Sequence, residues 1–82
     1  MYTVYVIYNQ IADKIYIGQT INLEARLEQH NTKVFSGYTS RFSGRWTLIY
    51  SEVFAKRQEA LVREKQLKSF QGRKFVKQFI PG

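Results

Sequence analysis

One carboxylate in this sequence stands among apolar neighbours. In the segment 56–70, projected at about 100° per residue, Glu64 falls between Leu61 on one side and Ala60 and Leu67 on the other. A buried carboxylate without a partner is costly, so Glu64 there needs a metal ion or a basic side chain. The plainer alternative is a side chain that reaches past the stripe to water. Arg26 and His30 are four residues apart and share one helical face with Leu23 and Leu27. A guanidinium fork suits a phosphate, and imidazole, with a reference pKa of about 6.5, suits proton transfer. The structural alternative pairs Arg26 with Glu64 and lets His30 bond a carbonyl at the helix end. Tyr5 and Tyr16 supply two phenols. Core packing is the usual fate of a strand tyrosine. To act as a base, a phenol of reference pKa about 10 needs a cation or a metal-bound water beside it.

Other chemistries lack parts. The chain has no Cys, which removes disulfides, thiolate metal sites and a thiol nucleophile. It has no glycine-rich phosphate loop, carboxylate cluster for two metals or zinc-ligand spacing. Its serines share a single His and show no strand-to-helix elbow.

Positioning these groups falls to a few short elements. Residues 2–9 are β-branched and aromatic on both parities, which suits a central strand covered on both faces. A turn at 9–13 leads to a second strand at 14–19, and the short link makes the pair a hairpin. Tyr5 and Tyr16 share a face in one of the two register parities. Thr20 or Asn22 caps a helix over 23–31. Residues 32–45, rich in Ser, Gly and Thr, read as a long loop containing a helical turn, and long loops in small domains are often functional. Residues 46–54 form the third strand. A helix follows over 56–70, stopped by Gly72, and then a short basic amphipathic helix over 73–80, ended by Pro81.

The 82 residues therefore form one α/β (α+β) domain spanning 1–82: a small, mainly antiparallel three-stranded sheet flanked by helices in the order β-β-α-β-α-α. Thirteen Lys and Arg against six Asp and Glu give a formal charge of +7, a surface that attracts polyanions, nucleic acid first among them. The charge is lopsided: residues 1–55 hold five basic and four acidic residues, and residues 56–82 hold eight and two. With no basic leader, small-residue cleavage site or long apolar run, the expected setting is soluble and cytoplasmic.

These residues resemble the GIY-YIG nuclease domain, over nearly the whole chain, and the small stand-alone bacterial members in particular. Thr3-Val4-Tyr5 is similar to the first signature, and Tyr16-Ile17-Gly18, eleven residues after Tyr5, matches the second. Arg26 follows ten residues after Tyr16, His30 stands one turn later, and Glu64 lies in the helix after the third strand. The sequence departs from the family pattern at Thr3, where the Gly is missing, and at Gln19, where the excinuclease relatives carry Lys. It also lacks the Asn that many members carry after the metal Glu.

The resemblance implies a metal-dependent endonuclease acting on DNA, with RNA not excluded. Glu64 would hold one Mg²⁺ or Mn²⁺. Arg26 would stabilise the charged phosphorane-like state. Tyr16 would act as base, assisted by Tyr5 or His30. Tyr38, Arg41, Lys68, Arg73 and Lys74 would grip the nucleic-acid backbone. A domain this small implies structure-selective or weakly sequence-selective cutting in repair or recombination, or a protein partner that supplies specificity. The competing readings are a non-catalytic nucleic-acid-binding module on the same scaffold, and a domain whose basic face meets an acidic protein.

Overall fold

The computed structural model describes residues 1–33 and 37–81. The chain runs β1 (Tyr2–Asn9), β2 (Lys14–Thr20), α1 (Leu23–Thr32), a single 3₁₀ turn (Tyr38–Arg41), β3 (Trp46–Phe54), α2 (Arg57–Lys68) and α3 (Phe70–Lys77). The part of the expected loop at 34–36 lies outside the described residues.

The sheet order is β2-β1-β3, and both pairings are antiparallel. β1 is central, which explains its apolar character on both parities. Val4 and Val6 pack with Ile17 beneath Ala60, Leu67 and Val76 of α2 and α3. Tyr5 and Ile7 pack with Trp46, and Leu23 and Leu27 of α1 cover them. One helix thus lies on one face and two on the other.

A register shift between Val6 and Ile7 in the β1–β3 ladder sets which face Trp46 meets. Val6 pairs with Tyr50, and the next residue, Ile7, pairs with Leu48. The extra residue in β3 reverses its alternation. Tyr50 and Glu52 therefore share the face of Val4 and Val6, while Trp46 joins Tyr5 and Ile7.

Asn22 is the α1 cap: its side chain accepts from the Ala25 N–H at 3.1 Å. Two expectations for the C-terminal helices need correction. The helix expected over 56–70 ends at Lys68, and Gly72 lies inside α3 instead of stopping its predecessor. Ser69 makes the break: its hydroxyl accepts from the Gly72 N–H at 3.1 Å and opens α3. A Cβ on Gly72 would come within 2.1 Å of the Gln66 carbonyl oxygen and 2.4 Å of Leu67 Cα. This glycine is there because α3 begins pressed against the last turn of α2. The stripe on α2 is also narrower than the wheel suggests. Ala60 and Leu67 are buried, but Leu61 is 38% exposed.

Candidate active site

The antiparallel register decides the parity of the two phenols. Tyr5 faces Gly18 and Ile7 faces Tyr16, so Tyr16 lies diagonal to Tyr5 on the α1 side of the sheet. Their ring centroids are 6.3 Å apart. Gly18 makes this possible: a Cβ there would sit 2.8 Å from the Tyr5 hydroxyl oxygen and 3.1 Å from Cε2 of Tyr16. The Tyr5 hydroxyl occupies the space a side chain would take.

α1 brings Arg26 and His30 over this pair. His30 is buried, and its Nε2 lies 2.8 Å from the Tyr5 hydroxyl oxygen. Its ring is 5.1 Å from that of Tyr16 and 5.8 Å from that of Tyr5. Its other nitrogen, Nδ1, lies 2.8 Å from Oγ1 of Thr39 on the 3₁₀ turn. Both ring nitrogens of His30 thus meet hydroxyls. Arg26 lies close enough to the Tyr5 hydroxyl for its positive charge to act on it.

The electrostatics follow from this burial. Tyr5 is pushed well above the usual phenol range, by burial first and then by Tyr16, with Glu64 adding to the rise. Arg26 opposes the shift through its charge and its hydrogen bond. His30 is pushed down, by burial and then by the Arg26 charge. Both groups are held neutral near pH 7.

Tyr16 faces outward. It lines a groove of about 370 Å³ along the edge strand β2, together with Ile15, Ile17, Tyr38, Lys68 and Arg73. A second hollow shares Ile15, Tyr38 and Arg73 and adds Lys14 and Lys77. Tyr38 stacks on Tyr16 with centroids 6.2 Å apart and planes at 24°. Tyr38, Phe42 and Trp46 continue the aromatic row into the core, which ties the 3₁₀ turn to the sheet. Arg41, at the end of that turn, and Lys74, next to Arg73 on α3, are exposed and are not among the residues lining this groove.

Glu64 is mostly covered, with 18% of its side chain exposed, and its Oε2 accepts from the Lys68 ammonium at 2.8 Å. The cation beside it is thus a lysine one turn on. The structural partner expected from the sequence is Arg26. Among the described residues, no group of three or more His, Cys, Asp or Glu converges. A single carboxylate with water in the other positions fits a small hard ion that keeps most of its hydration. The ammonium already on Oε2 marks this oxygen as one that accommodates positive charge.

Sequence reasoning passed over Thr39. A lone threonine in a polar loop carries no signal until Trp46 is placed: the indole Nε1–H donates to the Thr39 carbonyl at 3.2 Å.

Comparison with known proteins gives a consistent result. The model of a GIY-YIG catalytic domain matches residues 1–76. The UPF0213 protein SH2523 of Staphylococcus haemolyticus is 36% identical over 58 residues, covering 71% of this chain and 70% of that protein. The solution NMR structure of the UPF0213 protein BH0048 from Bacillus halodurans superposes with a TM-score of 0.56 at 22% identity. That match covers 100% of this chain and 88% of the other and shows a shared fold. No helix among the described residues is long and apolar enough to cross a membrane.

Proposed function

The chain belongs to the GIY-YIG family of nuclease-type catalytic domains, and from that premise we propose that it is a divalent-metal-dependent endonuclease that hydrolyses phosphodiester bonds in DNA. The observation that carries this reading is the convergence of Tyr5, Tyr16, Arg26 and His30, from three separate elements, beside a groove walled by Lys68 and Arg73.

The two phenols divide the work by burial. Tyr5 is 1% exposed, bonded to His30 and held protonated. It braces the site. Tyr16 opens on the groove, so it is the phenol able to meet the attacking water and receive its proton. Arg26 lies beside the Tyr5 hydroxyl and supplies positive charge to the phosphate as negative charge builds on it. Glu64 would hold one Mg²⁺ or Mn²⁺, which when bound offsets charge on the phosphate and the leaving oxygen. Lys68 and Arg73 grip the backbone without reading sequence, and Tyr38 offers an exposed ring beside them. Arg41 and Lys74 extend the basic surface on the same two elements. A surface this small supports structure-selective or weakly sequence-selective cutting, in repair or recombination, with a protein partner adding specificity. The cytoplasm is the compartment that fits such a role.

The test is nicking of supercoiled plasmid with Mg²⁺ or Mn²⁺, against EDTA controls. The parent should nick only with metal. Glu64→Gln should lose that activity while keeping the parent's circular dichroism. A Glu64→Gln protein that nicks as fast as the parent removes Glu64 from the metal site. One observation favours the second reading, a binding module without catalysis: Glu64 is already satisfied by Lys68. Salt-sensitive binding to DNA with no nicking under any metal would establish it.

A further inference from the structure

Thr39 is a buried polar residue, 2% exposed. Its backbone is held by the Trp46 indole at 3.2 Å, and its Oγ1 lies 2.8 Å from Nδ1 of His30. Trp46 is itself clamped. The Asn31 side chain accepts from its N–H at 2.7 Å and donates to its carbonyl at 3.0 Å. The hydroxyl that meets the imidazole is therefore on a fixed mount.

We propose that Thr39 is a positioning residue that fixes His30 as the Nδ1–H tautomer and so sets the direction of a hydrogen-bond chain ending at Arg26. In that chain His30 Nδ1–H donates to Thr39 Oγ1 and the Tyr5 hydroxyl donates to His30 Nε2, so that the Tyr5 oxygen turns its lone pairs to the nearby Arg26 charge. The opposite tautomer fails on counting donors. An Nε2–H would aim at a Tyr5 oxygen that already has the Arg26 charge beside it, and it would leave the Tyr5 proton without the acceptor it now has.

The surroundings keep this arrangement neutral. Among the described residues, the imidazole meets Tyr5 on β1, Tyr16 on β2, Arg26 on its own helix and Thr39 on the 3₁₀ turn. Burial and the Arg26 charge both oppose an imidazolium. The proton therefore stays on Tyr5, and His30 serves as a neutral acceptor. What Thr39 adds is direction: a chain of aligned donors holds together better than its separate links, and this one terminates on the cation that the proposed reaction needs. Its catalytic consequence rests on the nuclease reading, but the tautomer does not.

The experiment uses the full chain, ¹⁵N-labelled, with long-range ¹H–¹⁵N spectra of the single histidine near pH 7. The parent and Thr39→Ser should show a protonated Nδ1 and a bare Nε2. Thr39→Val, close in shape but without the hydroxyl, should lose that fixed pattern, with the amide spectrum reporting that it remains folded. In parallel, single-turnover nicking with saturating Mg²⁺ should fall about tenfold or more in Thr39→Val and recover in Thr39→Ser. A parent with the proton on Nε2, or a Thr39→Val spectrum identical to the parent's, overturns the proposal. Should the parent fail to nick at all, the nuclease reading falls, and the tautomer is decided by the spectra alone.

Discussion

Gly18→Ala should damage this protein in two measurable ways, and the size of each follows from the geometry. The new Cβ would lie 2.8 Å from the Tyr5 hydroxyl oxygen and 3.0 Å from its Cζ. Ordinary contact begins near 3.4 Å, so the phenol or the strand must move by about 0.6 Å. The ring cannot swing into solvent, because it is 1% exposed and its hydroxyl is 2.8 Å from His30 Nε2. Moving it outward by that amount stretches the bond to the edge of what counts as one. Overpacking of this kind costs about 1–3 kcal/mol. For a domain of this size that is a fall in Tm of roughly 5–20 °C, since each kcal/mol is worth about 4–8 °C. Displacing Tyr5 also displaces Arg26, so single-turnover nicking should fall by about tenfold or more even at temperatures where the variant is folded. Thermal melts by circular dichroism and a nicking time course at 20–25 °C measure the two effects. A Gly18→Ala protein with the parent's Tm would refute the close approach, and one with lower Tm but an unchanged folded-state rate would refute the coupling of Tyr5 to catalysis.

Two other expectations can be tested directly. Because burial and Arg26 lower the His30 pKa, the unfolded chain binds a proton that the folded chain resists. The stability this histidine contributes is then present above about pH 6.5 and is lost as the pH falls through its lowered folded value. Urea melts at pH 7.5 and 5.5 should show the parent weaker at 5.5, and His30→Gln should flatten the difference, whereas an equal drop in both proteins would place its source elsewhere. Lys68→Ala and Arg73→Ala should each weaken DNA binding and reduce the slope of log K against log [salt] by about one, by loss of one phosphate contact. A slope unchanged in both variants would show that the groove along β2 is not where the backbone runs.

The fold was legible where periodicity reports burial directly. β1 reads apolar on both parities because it is the middle strand between two helix layers, and Asn22 reads as a cap because its side chain is followed by a helical stripe. Legibility failed where one residue type serves two physical purposes. A glycine near a helix end reads as a stop, yet Gly72 is inside α3, and its missing Cβ lets that helix touch the Gln66 carbonyl. No local pattern distinguishes these uses, because the second depends on a neighbour that folding brings in. The same limit hid the reversal of β3 alternation near Tyr50, without which Trp46 would lie on the wrong face to reach Thr39. At the candidate site, Glu64 was readable as a carboxylate that needs a cation, but the basic partner the sequence suggests is Arg26, whereas the structure gives it Lys68 one turn on. That Tyr5 and Tyr16 share a face was readable only as one of two parities, because the alternation of each strand is clear while the pairing between strands is set by the turn at 9–13.

The difference between the two tyrosines follows from the smallness of the sheet. With three strands, every site built across neighbouring strands must place one residue on the middle strand and one on an edge. The middle strand has both faces covered, so Tyr5 is sealed, bonded and kept protonated. The edge strand has no neighbour on its outer side, so Tyr16 shares its groove with water, Tyr38 and two cations. The same chemical group is thus sealed in one place and open to the groove in the other, and the roles proposed for the two tyrosines rest on that difference. Exchange of the two environments would require a fourth strand beside β2, which would cover the edge on which Tyr16 now opens.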